Sequence, residues 1–382
     1  MPTPIALRQF AFEILLPLCR DRFADPVHGG FHERLDSQHQ PMALNKRLLV
    51  QCRQLYVLSH AALAGDRSGA AVAEAGYAFL RRAYLDERHG GWFFSVTPDG
   101  QPADQTKDFY GHAFALYALA YLHRAFASPD ALALAHETMD LLKARLAAPN
   151  GGFWEKATAE WQPDRTAIRR QNPHMHLLEA LLALFEASGE RRWIDEARAI
   201  VRLFLDHFYE PATGTLGEFF DADWAPHPEQ GHIVEAGHHF EWFWLLDRYR
   251  TMSGDATAAG PAQRLFDEAM AHGFDPLHGG IHDQIDRQGV PVLRSRRIWP
   301  VTEAIKASIV HLHAGNPNEL ARAEALIRLL FKDFLRHDER LWIEVLAADG
   351  TPAQTDMPGS TPYHLFVAAI EAQRLLTPGG TT

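Results

Sequence analysis

The chain has 382 residues and sets 48 acidic side chains against 37 Lys and Arg, a net charge of −11. That balance disfavours nucleic acid or an anionic membrane as partner, and no apolar run approaches the roughly 20 residues needed to span a bilayer. The only cysteines, Cys19 and Cys52, make no disulfide framework and fit a reducing cytoplasm.

The opening stretch MPTPIALRQFAFEILLPLC sets Arg8 and Glu13 inside its apolar pattern and predicts an amphipathic helix rather than a signal peptide. HGGFHERLDSQHQP follows from His28, and the phrase then recurs: HGGWFFSVTPDGQP from His89, NGGFWEKATAEWQP from Asn150, TGTLGEFFDADWAP from Thr213, HGGIHDQIDRQGVP from His278 and a degraded ERLWIEVLAADGTP from Glu339. Its aligned apolar residues are Phe31, Trp92, Phe153, Leu216, Ile281 and Trp342, spaced by 61, 61, 63, 65 and 61 residues. Such a period signals a repeat architecture.

Each gap has room for two helices. AAVAEAGYAFLRRAYL (70–85) precedes the second phrase and DFYGHAFALYALAYLHRAF (108–126) follows it. The following helix is the more apolar, as it is again in 172–189, 235–254 and 298–315, whereas preceding helices such as 191–209 are more charged. The phrase mixes β-formers with Gly, Pro and Asp, which predicts a short hairpin or extended loop. The stretch TMSGDATAAGPAQ falls where a loop between helices belongs, not at a linker. Six outer helix–hairpin–inner helix units predict an all-α fold, an (α/α)6 barrel with short β-hairpin loops at one end, as one catalytic domain over 1–382. An open solenoid is the alternative, and it would want polar end caps.

Twenty-two residues on from the aligned apolar positions stand Arg53, Phe114, Met175 (beside His176), His238, Glu303 and His364. In a barrel these share one level around the axis, a ring of ionisable groups in an aromatic-lined mouth. Most of the 22 His and 9 Trp are expected to be structural, and a lone His is more often structural than catalytic; four ionisable groups at one repeat offset are a stronger signal. Two His supply acid and base near neutral pH, Arg53 can hold an oxyanion, and Glu241, one helical turn beyond His238, can fix an imidazole tautomer. This suits proton abstraction beside a carbonyl. A hydrolase using Glu241 and Glu303 stays open. There is no HExxH, no Cys ligand set, no phosphate-cradling loop and no Ser nucleophile elbow, so no metal is expected and the substrate need not carry phosphate.

EAGHHFEWFWLL (235–246) resembles the GHxxEWxWLL signature of the N-acylglucosamine 2-epimerase superfamily. NPHMHLLEA (172–180), CRQLYVLSHA (52–61), RRIWPVTEAIKA (296–307) and TPYHLF (361–366) match its other blocks in order, so the resemblance covers essentially the whole chain. Ala236 stands where the family pattern has Pro. GHIVE (231–235) also fits GHxxE, but WxWLL follows Gly237, and His238 rather than His232 falls on the repeat offset.

The resemblance implies an (α/α)6 barrel that interconverts sugars at C1 and C2 without metal or redox cofactor. By it, Arg53 matches the substrate-binding Arg, His238 and His364 the acid/base pair, and Glu241 the carboxylate beside the first His. His176 matches the histidine of the NxxMHxxEA block that Asn172 opens, a block typical of the mannose isomerase branch, and Trp299 and Glu303 match WxxxE. The expected activity is aldose–ketose isomerisation of the D-mannose to D-fructose type, with a sugar 2-epimerase (mannose/glucose, cellobiose or N-acylglucosamine) as alternative; a glycoside hydrolase and an inactive sugar-binding barrel remain further readings. In the expected mechanism His238 or His364 assists ring opening and His364 moves the C2 proton to C1. Arg53 holds the enediolate, Glu241 and Glu303 orient imidazoles or bind hydroxyls, and Trp299, Tyr110 and Phe114 pack the sugar beside Asn172 and His176. The partner is a small sugar, and a homodimer is compatible with the sequence.

Overall fold

The computed structural model describes residues 3–335 and 341–376. Glu339 and Arg340, which open the sixth phrase, and the two ends of the expected 1–382 domain lie outside the described residues. In chain order the helices are α1 (Pro4–Gln9), α2 (Leu16–Leu18), α3 (Leu48–Leu63), α4 (Ala70–Tyr84), α5 (Phe109–Phe126), α6 (Pro129–Arg145), α7 (Gln171–Ser188), α8 (Arg191–Leu203), α9 (Ala236–Ser253), α10 (Ala259–His272), α11 (Trp299–His313), α12 (Glu319–Leu329) and α13 (Thr361–Ala372). The amphipathic opening run from α1 to Phe23 contains Pro17, which cannot donate in the i→i−4 ladder, and π turns at Phe10–Leu15 and Cys19–Phe23 flank it.

The apolar helix after each phrase is the inner one. In α5, for example, Phe109 and every residue from Gly111 to Leu122 are buried, whereas α8 buries one stripe, Trp193, Ile194, Ala197, Ile200 and Val201. Inner helices α3, α5, α7, α9, α11 and α13 pack in sequence, and α13 returns to α3. The mouth closes the same way. The residues just before each inner helix pair with the hairpin of the next phrase: Lys46 with Val96, Lys107 with Ala157, Arg170 with Phe219, Val234 with Ile285 and Arg297 with Val345. Pro358 then pairs with Arg34 of the first phrase. Six repeats thus form a closed (α/α)6 barrel, and the open solenoid is excluded. TMSGDATAAGPAQ forms the turn from α9 to α10, entered through Gly254 at φ 77°.

The phrases are held to the inner helices by a repeated device. The residue before the aligned apolar position takes a left-handed backbone, with φ of 70° at Gly30, 73° at Gly91, 65° at Gly152 and 80° at Gly280; in the degraded copy Leu341 adopts 52°. The next backbone N–H donates to the inner helix: Phe31 to Gln51 Oε1 (2.8 Å), Trp92 to His112 Nε2 (3.1 Å), Phe153 to His174 Nε2 (3.0 Å) and Leu216 to His239 Nε2 (3.0 Å). These imidazoles must be neutral to accept. Burial, the largest influence on each, holds His112 down to about 4 and His174 and His239 to about 3. A buried cation adds a second clamp: Lys46 on Asp25 and Gly29 O, Lys107 on Asp86, Arg296 on Asp275 and Gly279 O, and Arg169 on Gly151 O. The expectation that most histidines are structural holds for this class.

Candidate active site

All six inner helices begin at the hairpin end, so their N-termini, the positive ends of their dipoles, face one mouth. There a cavity of about 370 Å³ is lined by Arg53, Tyr110, Asn172, His176, His238, Glu241, Trp299 and His364 among the residues singled out from the sequence. Phe114 and Glu303 do not line it. They lie in the layer beneath, Phe114 under Arg53 and Glu303 behind His364, which corrects the expectation that Phe114 packs the sugar directly. His232 sits exposed on the preceding loop, so the choice of His238 agrees with the geometry.

Arg53 is locked in place. Its guanidinium lies 4.3 Å from the Phe114 ring centroid and 4.7 Å from that of Tyr363, and it donates to Tyr110 Oη (3.1 Å) and the Ser360 carbonyl (3.3 Å). Its Nε has no hydrogen-bond partner, and neither do Asn172 Oδ1 nor Glu241 Oε1. Three orphaned polar atoms on residues that line one cavity are costly unless a polar ligand satisfies them.

The two mouth histidines flank Trp299, with ring centroids 5.0 Å (His238) and 5.7 Å (His364) from the indole. His238 Nδ1 is 2.9 Å from Glu218 Oε2 and 3.9 Å from Glu235 Oε2. Burial alone would strip its proton, but the Glu218 carboxylate, with Glu235, outweighs it and raises His238 to about 9. His364 Nδ1 is 2.9 Å from Glu303 Oε1. Burial, reinforced by Arg53 and Lys306, holds this imidazole well below its usual range. One cavity therefore holds an imidazolium and a neutral imidazole at neutral pH, the separation that assigns acid and base.

His176 is neutral as well, lowered to about 4 by burial despite Glu179, whose Oε2 lies 3.0 Å from its Nδ1. Tyr363 Oη donates to the same Glu179 carboxylate at 2.6 Å. Glu241 corrects a second expectation. It does not orient His238; its Oε1 lies 3.9 Å from His176 Nε2, and burial and the neighbouring Glu303 push its carboxyl well above the usual range. A protonated Glu241 is a hydrogen-bond donor in the cavity lining.

The carboxylate that does hold His238, Glu218, was missed, although the sequence carries its signal. An acid recurs two residues after the aligned apolar position: Glu33, Glu155, Glu218, Asp283 and Glu344. Glu33, Glu155 and Asp283 accept the backbone N–H of the residue just before the inner helix and pair with its arginine, Arg47, Arg170 or Arg297. In the fourth repeat that residue is Glu235 rather than Arg, so Glu218 takes its N–H (3.3 Å) on one oxygen, and the other meets His238 while also accepting from Gln171 Nε2 (2.8 Å). Arg170, Arg297, Glu235 and Glu344, also missed, complete the wall with Phe219, Ser360 and Thr361.

Two trios, His176–Glu179–Glu241 and Glu241–Glu303–His364, bring their ligand-type atoms within 4.8 Å of one another. Both draw on carboxylates that share the buried Lys306 ammonium, which ion-pairs with Glu303 and also acts on Glu241 and Glu179. Lys306 thus supplies a cation of the protein's own to these carboxylates, and we read the trios as part of an ammonium–carboxylate cluster. Among the described residues no helix is long and apolar enough to cross a membrane.

Residues 29–368 match the profile of the N-acylglucosamine 2-epimerase (GlcNAc 2-epimerase) family. The chain is 35% identical over 372 residues to a mannose-6-phosphate isomerase of Rhizobium meliloti (strain 1021), covering 94% of each chain. It is 33% identical to a D-mannose isomerase of Thermobifida fusca over 68% of this chain and 67% of that one. The solved structure of a cellobiose 2-epimerase from Spirochaeta thermophila DSM 6192 superposes with a TM-score of 0.89 at 29% identity, covering 97% of this chain and 96% of the other.

Proposed function

The chain belongs to the N-acylglucosamine 2-epimerase family of sugar isomerases and epimerases, and within it we propose an aldose–ketose isomerase acting on a free hexose of the D-mannose type. The observation that carries this reading is the opposed protonation of His238 and His364 across one polar cavity. His238, as imidazolium, protonates the ring oxygen and takes back the anomeric O1–H proton as the C1–O5 bond breaks, which opens the sugar and restores the imidazolium. His364 Nε2 removes the C2 proton and returns it to C1 while the O2 hydroxyl proton passes to O1, which gives the ketose and regenerates the neutral base. The enediolate oxygens lie against Arg53 and the converging helix N-termini. Protonated Glu241, Asn172 and His176 hold hydroxyls, and Trp299 carries the sugar face.

A 2-epimerase is the second reading, since both histidines line the cavity. Direct epimerisation would take a proton at His364 and deliver one from His238, leaving His364 charged and His238 neutral. That would leave each imidazole in the protonation state its surroundings disfavour, whereas one-base isomerisation leaves both as they began. This favours the isomerase.

The cavity also favours an unphosphorylated sugar. Arg170 is committed to Glu155, and Arg297 to Asp283 and Glu235. Arg53 faces the reacting carbons in this mechanism, so no arginine of the cavity is left over for a phosphate at the far end of the substrate. Proton NMR of D-mannose with the enzyme in deuterium oxide tests the proposal. Fructose is the expected product, with mannose 6-phosphate turned over at least tenfold more slowly. Glucose appearing first with deuterium at C2 would establish the epimerase instead, and turnover of cellobiose or N-acetylglucosamine but not mannose would overturn the hexose assignment.

A further inference from the structure

Beneath the cavity floor lies a group that the mechanism above does not use. Lys306, on α11, is fully buried, with its Nζ on the Glu303 carboxylate and 3.9 Å from the Trp244 ring centroid. Glu303 comes from the same helix one turn earlier. Glu241 and Trp244 face the ammonium from α9, and Glu179 faces it from α7. From α13, Tyr363 engages Glu179 and His364 engages Glu303; Arg53 on α3 and His176 on α7 complete the charged surroundings of His364. One ammonium thus serves three buried carboxyls.

We propose that Lys306 is a positioning residue for the reaction: by keeping Glu303 ionised, it fixes His364 in the tautomer with its proton on Nδ1, leaving the Nε2 lone pair to face the substrate. The inference rests on His364 being the catalytic base.

The argument is one of proton count. Among Glu179, Glu241 and Glu303, Glu179 accepts from both Tyr363 Oη and His176 Nδ1 and is held below the usual carboxylate range by them and by Lys306, against its burial. Glu241 has no hydrogen-bond donor on Oε1 and is pushed up, so it keeps the proton. Glu303 is the carboxylate whose state depends on Lys306: burial and Glu179 push its carboxyl up, Lys306 is the largest influence holding it down, and its other partners are the neutral His364 and the Thr302 hydroxyl. Without the ammonium, a buried Glu303 beside two other carboxyls takes up a proton. As an acid it donates to His364 Nδ1, the imidazole proton shifts to Nε2, and the base can no longer accept from C2. A misheld tautomer of this kind is costly in acid–base catalysis.

The test uses Lys306→Met, Glu303→Gln and the double variant in the full chain. Nitrogen-15 NMR of the histidine side chains reports the His364 tautomer directly, its signals assigned by their loss in His364→Asn. At pH 7 the wild type is expected to carry the proton on Nδ1 and Lys306→Met on Nε2, with kcat lowered about 10²-fold or more and KM changed less than threefold. In the Glu303→Gln background, where no proton can be gained, removing Lys306 is expected to change kcat less than threefold. The double variant also removes both charges of the pair, so it remains testable if Lys306→Met alone fails to fold. An unchanged tautomer in Lys306→Met, or an equal loss in both backgrounds, would overturn the proposal. The tautomer readout needs no substrate, so it stands apart from the choice of sugar: no turnover of mannose with the expected tautomer shift would defeat the hexose assignment alone.

Discussion

Glu218 Oε2 lies 2.9 Å from His238 Nδ1, and it comes from the hairpin phrase of the same repeat rather than from the helix that carries the histidine. Its charge is the largest influence opposing burial at His238. Glu218→Gln keeps an acceptor at that atom but removes the charge, so the imidazolium is expected to titrate lower. In wild type the alkaline limb of kcat should fall as pH rises past about 9; in Glu218→Gln it should fall at a lower pH. A pH–rate profile decides, and an unmoved limb would show that His238 is not the acid.

His364→Asn is expected to leave the barrel folded and reduce turnover by about 10²–10⁴, the range for loss of a positioned general base. Circular dichroism checks the fold, and exchange of the C2 proton into deuterium oxide checks the step. Near-normal exchange would remove His364 from the base role.

Arg53→Lys retains a cation but loses the planar fork held between Phe114 and Tyr363. If the guanidinium acts on the enediolate, kcat should fall by about 10²–10³ with a smaller change in KM. A change confined to KM would mean that Arg53 binds the ground state and transition state alike.

The bracing histidines predict acid sensitivity. His112, His174 and His239 are depressed in the folded chain, so the unfolded chain binds more protons between their folded values, about 4, 3 and 3, and the ordinary 6.5. Stability is therefore full above 6.5 and declines as pH falls below it. Gln51 performs the same bracing in the first repeat. His174→Gln should flatten the acid decline in Tm, whereas His174→Ala should cost about 1–3 kcal/mol by leaving the Phe153 N–H unpaired. Equal Tm–pH curves for His174→Gln and wild type would refute the account.

The repeat period, the alternation of charged and apolar helices and the 22-residue offset were legible because they are local: each repeats the same hairpin and the same helix register. That was enough to place Arg53, His238 and His364 in one mouth before any coordinates. It singled out His238 by the offset but did not reveal that the adjacent His239 is a brace in the wall, turned away by the roughly 100° that one residue of helix adds.

Charge state was decided by the tertiary structure. Glu241 follows His238 by one turn and reads as its partner, yet the carboxylate that holds His238 is Glu218, twenty residues earlier in the chain. Glu303 and His364 are 61 residues apart and meet where the last inner helix packs on its neighbour. The sequence by itself determined which groups ring the axis. Only ring closure determined which of them are buried together, and it is burial outweighed by carboxylates at His238 and reinforced by Arg53 and Lys306 at His364 that makes one histidine an acid and the other a base.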